Sequence, residues 1–486
     1  MIDDGQTVTE QGHSSSTTAA EDVGTPPARA LEARDIDKDA LKVVRKLLAA
    51  NHEAYLVGGC VRDLYLNRKP KDFDVATSAR PEQIRRVFRN SRIIGRRFKL
   101  AHVFFGSKII ETSTFRTNPK EEEHAATSEG DAAAEGGGGG DLLITHDNSW
   151  GDIKDDARRR DFTINGLFYD IERRAIVDFV DGVRDLDRGI IRTIGEPEVR
   201  FREDPVRMIR AIKFAARLDF TVEMDSWQAL LRCAPDIARC SRARLVEELY
   251  KLLRGGSSRR AFELMIQAEL FQHIWPDYIA LYDASGGLHR PSRKDPPDLP
   301  SALFWRYLAA LDDYVLETGQ TPSNGVIQAI LFAPLLHGQL LEANRAELDA
   351  LIEDTMTPPC AALGVARRDR ELARQIYMAH RRMIQPRGGK RSRRKNSLVQ
   401  RQYFHDALLF LGFSVETREF DGDSALEHWR RLALQSAAPA PKSNGEGGGG
   451  DKKRPRKRRR GGRGRRKSKS SGDKARASEG PAASES

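Results

Sequence analysis

Asp72 and Asp74 stand two positions apart in Pro70-Lys-Asp-Phe-Asp-Val75, shortly after the run Tyr55-Leu-Val-Gly-Gly-Cys-Val-Arg-Asp-Leu64. On an extended strand residues i and i+2 share a face, so this spacing predicts two carboxylates side by side with Phe73 turned to the core. Carboxylates that close repel, and one pKa rises unless a cation lies between them. Hard oxygen donors in that number suit Mg²⁺, which is held by one or two carboxylates plus a substrate's phosphates; Mn²⁺ is an acceptable substitute. Gly58 and Gly59 let the backbone approach a triphosphate with no Cβ in the way. The expected chemistry is that of a metal–nucleotide site.

The joint pattern, Gly-Gly-x-Val-Arg-Asp followed closely by Asp-x-Asp, is far more specific than either part. It resembles the head of the nucleotidyltransferase branch that contains bacterial poly(A) polymerases and tRNA CCA-adding enzymes. The resemblance is close over residues 35–218 and looser over the helical remainder and basic tail. It implies that Asp72 and Asp74 carry catalysis and hold metal, and that Gly58, Gly59, Arg62 and Asp63 shape the triphosphate pocket.

A second constellation is Asp155-Asp-Ala-Arg-Arg-Arg-Asp-Phe-Thr-Ile-Asn165. On a helix, Asp161 and Asn165 are i,i+4 neighbours, and arginines beside a carboxylate and an amide suit phosphate, ribose and base-edge contacts. By itself such a run could equally be an exposed, charged helix start. The string Arg-Arg-Asp-Phe-Thr-Ile-Asn is close to a signature of the same family; by that resemblance Asp161 is the third active-site carboxylate, and Arg160 and Asn165 contact nucleotide. Glu111, on a strand expected beside that of Asp72, is the second choice for the third carboxylate, and Arg116 could bind phosphate in either case.

A third element is Arg202-Glu-Asp-Pro-Val-Arg207-Met-Ile-Arg210. Glu203, Asp204 and Pro205 form favourable helix-start chemistry in their own right. In the resembling family a Glu-Asp-x-x-Arg element here reads the incoming base without a template, which Asp204 and Arg207 match: Asp accepts from an exocyclic amine and Arg donates to ring or carbonyl acceptors. Arg210, Lys213 and Arg217 continue a basic face, available for triphosphate or RNA backbone or simply solvated. His146-Asp147 and His405-Asp406 lack the further His and Asp partners of a metal phosphohydrolase and are read as incidental.

The elements that must position these groups follow from periodicity. Residues 1–34 are rich in Ser, Thr, Ala and Gly and are expected to be disordered. Residues 35–195 read as an α/β head, a mixed sheet with helices, interrupted at 118–148 by an Ala/Gly/Ser-rich flexible insertion that cannot bury a core. Within the head, Asp155–Tyr169 is expected to be helical. From Arg202 the period is helical throughout: a neck over 196–260 for base recognition and RNA binding, and an all-α body over 261–440. Residues 441–486 form a basic tail expected to be disordered.

The 486 residues carry a net charge of +11, but residues 451–486 alone hold 15 Lys and Arg against 4 Asp and Glu, leaving 66 basic and 66 acidic residues elsewhere. The excess charge is therefore a tail property, of the kind that binds polyanions with low specificity. Its Lys452, Arg454, Arg456 and Arg458, with Arg387, Lys390, Arg391, Arg393, Arg394 and Lys395 upstream, are the expected RNA contacts. The tail contains no aromatic residue, so it can grip backbone but not stack on bases. Four scattered cysteines, no apolar leader and no eighteen-residue apolar run point to a reduced, cytoplasmic protein without a membrane span. The expected activity is template-independent addition of AMP from ATP to RNA 3′ ends, with no strong sequence preference. The rivals are CCA addition to tRNA and a catalytically silent RNA-binding protein. The long insertion, the Lys/Arg cluster and the polycationic tail favour poly(A) synthesis, because an enzyme that measures one tRNA shape needs no loose polycation.

Overall fold

The sheet of the head starts from a capped helix. In a computed structural model that describes residues 31, 33–95, 99–117, 149–284, 286–292, 296, 298–384, 398–418 and 422–437, Asp37 accepts from the Asp39 and Ala40 N–H groups to open α1 (Lys38–Ala49), satisfying donors that a helix start leaves without partners. Strand β1 (Ala54–Val57), helix α2 (Gly59–Tyr65), β2 (Asp74–Thr77), α3 (Pro81–Val87), β3 (Ser91–Ile94), β4 (Leu100–Phe105) and β5 (Lys108–Thr114) follow. After α4 (Ile153–Arg158) come β6 (Leu167–Asp170), β7 (Ala175–Asp178), α5 (Gly182–Arg188) and β8 (Ile190–Ile191).

Seven strands form one mixed sheet in the order β3-β4-β5-β2-β1-β6-β7, with β2 and β5 parallel and the remaining neighbours antiparallel. Alternation divides its faces. Leu56, Val75, Ala101, Val103 and Ile110 join the core with α1 and α3, while Val57, Ala76, Phe115, Ala157 and Phe168 make a smaller core on the other face. The α/β head expected from periodicity is present, and Trp150 forms an antiparallel bridge with Arg116.

The neck is α6 (Pro197–Glu203), α7 (Val206–Leu218), the short strand β9 (Thr221–Val222) that pairs with β8, α8 (Met224–Cys233) and α9 (Arg242–Leu253). Helices continue from Ser258–Gln267 through Pro300–Thr318, Asn324–Leu336, Arg345–Leu363 and Arg367–Ile384 to Asp423–Ala437. Their core is strongly aromatic; Trp275 and Tyr278 stack with centroids 4.5 Å apart, and Tyr278 donates to the Leu331 carbonyl at 2.6 Å. All described residues lie within one compact unit. None of the four cysteines forms a disulfide, and no helix among the described residues is long and apolar enough to cross a membrane.

Three expectations are corrected here. β2 begins at Asp74, so Asp72 lies exposed just ahead of the strand rather than on it, while Phe73 between them packs against the core as expected. The helix expected over Asp155–Tyr169 stops at Arg158; a 3₁₀ turn at Thr163–Asn165 and strand β6 take its place. The reason is local and long-range together. Asp161 Oδ1 accepts from the Phe162 N–H at 2.9 Å, a side-chain bond that competes with helical pairing. Phe162 is extended, fully buried and bridged to Thr193. Most of the expected disordered N-terminal segment lies outside the described residues, but its end is corrected: Leu31 is buried in the core and Ala33–Asp35 form a 3₁₀ turn. The 118–148 insertion, the cluster at 387–395 and the tail also lie outside the described residues, and with them every expected RNA contact: Arg387, Lys390, Arg391, Arg393, Arg394, Lys395, Lys452, Arg454, Arg456 and Arg458.

Candidate active site

Gly58 ends β1 and starts α2 with φ +73°, a left-handed conformation that side chains with a Cβ adopt only under strain. A Cβ there would also meet Arg160 Nη1 at 3.2 Å, so the glycine leaves room for that guanidinium. Arg160 is aimed by Asp156, whose Oδ2 accepts from its Nε and Nη2 at 3.2 and 2.9 Å, and its guanidinium lies 5.3 Å over the Phe168 ring. Bare backbone and a braced arginine at one strand end make a cradle for anionic oxygens.

One strand over, Asp74 is the register partner of both Val57 on β1 and Glu111 on β5. Burial first, then Glu111, lift the Asp74 carboxyl to about 6; Arg160 opposes the rise and Asp72 adds to it. Carboxylates crowded in this way call for a cation. Among the described residues no three His, Cys, Asp or Glu side chains close into a ready metal cage.

Asp161 has a different setting. It accepts from Asn165 Nδ2 at 3.1 Å and from Arg210 Nε at 2.8 Å, with Arg210 Nη2 2.6 Å away. Burial pushes its carboxyl up, but Arg210 and Asn165 more than offset this and hold it at about 2. Asn165 in turn accepts from buried Arg62 at 2.6 Å, and Arg62 is also paired with Asp63 at 2.7 Å. The expected contact between Asp161 and Asn165 exists, although no helix makes it.

Helix α7 presents the expected basic face, and each of its three cations is paired with a carboxylate while Arg210 and Arg217 stay partly exposed. Arg210 binds Asp161, Lys213 donates to Glu248 on α9 at 2.6 Å, and Arg217 reaches Asp63 at 3.3 Å. Between them Phe214 packs edge-on against Phe162, centroids 5.9 Å apart, with Arg62, Lys213 and Arg210 at 5.1, 5.4 and 5.6 Å from its ring. At the start of the helix Asp204 is clamped by Arg244 of α9 through contacts of 2.8 and 2.9 Å. Arg207 donates to Glu203 Oε2 at 3.1 Å and to the Arg200 carbonyl at 2.8 Å. Arg200 donates to the Arg160 carbonyl at 2.8 Å, so the base-reading candidates are tied to the cradle loop.

Arg116 departs from its expected role. It is buried, its Nη2 donates to the Lys99 carbonyl at 2.8 Å, and its own N–H donates to Asp156 Oδ1 at 3.2 Å. It builds the wall that braces Arg160 instead of presenting its guanidinium to a phosphate. Three residues with a part in this site went unread in the sequence: Asp156, Arg244 and His102, whose Nε2 lies 3.5 Å from Glu111 Oε1. The i,i+4 spacing of Asp156 and Arg160 could have signalled the first; the others depend on tertiary register.

The sequence matches three family profiles in order. They are described as "Poly A polymerase head domain" over residues 54–192, "Probable RNA and SrmB- binding site of polymerase A" over 219–281, and "Polymerase A arginine-rich C-terminus" over 342–466. Poly(A) polymerase I of Escherichia coli O6:H1 is 37% identical over 382 residues, covering 75% of this chain and 76% of its own. A CCA-adding enzyme of Bacillus velezensis is 35% identical over 235 residues, covering 48% of this chain and 55% of its own. Among solved structures, the Bacillus stearothermophilus CCA-adding enzyme in complex with CTP matches with a TM-score of 0.55 and 25% identity, covering 82% of each chain.

Proposed function

The chain belongs to the bacterial poly(A) polymerase family of the tRNA nucleotidyltransferases, and from that premise we propose that it extends RNA 3′ ends with AMP taken from ATP. One observation carries the choice of poly(A) over CCA addition. Similarity to the poly(A) polymerase I of E. coli runs through 75% of the chain, and the arginine-rich C-terminal profile is matched as well. Similarity to the B. velezensis CCA-adding enzyme spans 48%.

In the reaction, the RNA 3′-hydroxyl oxygen forms a bond to the α-phosphorus of ATP. The bond to pyrophosphate breaks, and the hydroxyl gives up its proton. Asp74 with Asp72 and Glu111 would hold the divalent ions of a two-metal transfer, Mg²⁺ or Mn²⁺. When bound, such ions would neutralise charge on the pyrophosphate and lower the pKa of the attacking hydroxyl. Gly58, Gly59 and Arg160 receive the triphosphate, while Arg62, Asp63 and Asn165 keep that cradle in place. Asp204 accepts from the adenine amine and Arg207 donates to a ring nitrogen, both pre-aimed by their salt bridges. The third carboxylate is assigned to Glu111, because it is the one in register with Asp74. Asp161 and Arg210 join the cradle loop to the base-reading helix. The reading includes a cytoplasmic location, a role in RNA turnover, and a head over 35–195, neck over 196–260 and body over 261–440.

The test offers Mg²⁺ and each nucleoside triphosphate singly, then CTP with ATP, on an unstructured RNA and on a tRNA trimmed of its 3′ end. A ladder from ATP alone on the unstructured RNA supports polyadenylation. Two C and one A on tRNA alone would move the assignment to CCA addition, and no product on either would leave a silent RNA-binding scaffold.

A further inference from the structure

Asp74 stands mid-sheet, and the strand order gives it two sides. Towards β1 and β6 lie Gly58 and Arg160, with Asp204 and Arg207 tied to the same loop; a triphosphate seated there puts the pyrophosphate on that side. Away from it, β5, β4 and β3 continue to the sheet edge. In-line displacement requires the attacking oxygen to come from opposite the leaving group. The RNA 3′ end must therefore arrive over β5.

That part of the sheet has one closed face and one open face. Ala101, Val103 and Ile110 are fully buried on the closed face. On the open face, register lines up Asp74, Glu111, His102 and Arg92 as one row across four strands. Phe104 lies two residues beyond His102 and opposite Ile109. Its ring meets the His102 imidazole edge-on at 6.3 Å, and the Arg92 guanidinium lies 5.9 Å above it. Around them Ile94 and Ile109 are 37% and 42% exposed. Strands elsewhere in the head bury such residues. An aromatic ring with a stacked guanidinium and apolar neighbours, continuous with the reacting carboxylates, has the composition of a surface that stacks on bases without reading them.

We propose that this open face of β3, β4 and β5, centred on Phe104 and Arg92, seats the 3′-terminal nucleotides of the RNA. The proposal rests on the polyadenylation reading for its direction of attack. It gives a sequence-tolerant enzyme the stacking platform that its aromatic-free tail lacks.

Two measurements on the full chain test it. Phe104→Ala combined with Arg92→Ala should raise KM for an unstructured RNA about tenfold, in line with roughly 1–3 kcal/mol per stacked base, while KM for ATP moves less than twofold. An RNA carrying 4-thiouridine at its last position should photocrosslink to the peptide containing His102 and Phe104. A folded double variant with an unchanged KM for RNA, or crosslinks confined to the helical neck and body, overturns the proposal. A wild-type protein that makes no product from ATP refutes the polyadenylation reading instead, and the crosslink still decides the surface. If the double variant fails to fold, the crosslink on wild type carries the decision alone.

Discussion

Asp161 of the head and Arg210 of helix α7 close an ion pair at 2.6 Å, its carboxylate largely buried and its guanidinium partly exposed. With Arg217 on Asp63 and Arg207 on Glu203, it makes one face of α7 a joint between the loop expected to cradle the triphosphate and the residues expected to read the base.

This ion pair has a pH signature. The folded Asp161 carboxyl sits at about 2 against an ordinary 3.8, so the unfolded chain takes up the proton first as pH falls. The contribution to stability is full above about pH 4 and is lost as pH drops towards 2; linkage puts it at roughly 2 kcal/mol. Urea unfolding of wild type and Asp161→Asn between pH 5 and 2.5 should show the stability gap between them narrowing as pH falls. A gap that stays constant would mean that the pair contributes nothing.

Phe214 packs at the centre of the same joint, touched by three cations and by Phe162. Phe214→Leu keeps an apolar side chain but removes the ring face, and should cost about 1–3 kcal/mol in chemical denaturation. A loss below about 0.5 kcal/mol would show that the cations stand near the ring without binding it.

The carboxylates should separate by role. Asp74→Ala should reduce AMP incorporation by roughly 10³-fold or more, an interaction of several kcal/mol, with RNA affinity nearly intact in a gel-shift titration. Glu111→Gln should follow it in losing turnover without losing stability. Asp161→Asn should lose stability first and retain more turnover than Glu111→Gln. The reverse order for the last two would return the third carboxylate to Asp161.

Much of this arrangement was legible in the sequence, and the remainder was hidden for identifiable reasons. Strands β3, β4 and β5 show their alternation, and the paired glycines with Asp74 mark the site without help from tertiary structure. The stretch from Arg159 to Tyr169 reads as helix in the sequence because its partners, Thr193 for Phe162 and Leu56 for Tyr169, are remote in sequence. The spacing of Arg210, Lys213 and Arg217 revealed a basic face but not its destination, since Asp161, Glu248 and Asp63 come from three other elements. Glu111 could be placed beside Asp72 and Asp74 from its strand, but its proposed rank above Asp161 depends on the parallel register of β2 and β5. Helix α6 carries a proline in its first turn, a usable start signal that its short length obscured.

The most direct test supplies a tRNA that already ends in two cytidines, with Mg²⁺ and ATP as the sole nucleotide, and counts the adenosines added to each molecule. Polyadenylation predicts a ladder that lengthens with time well past one residue. Arrest after a single adenosine, with an unstructured RNA left untouched, would contradict it.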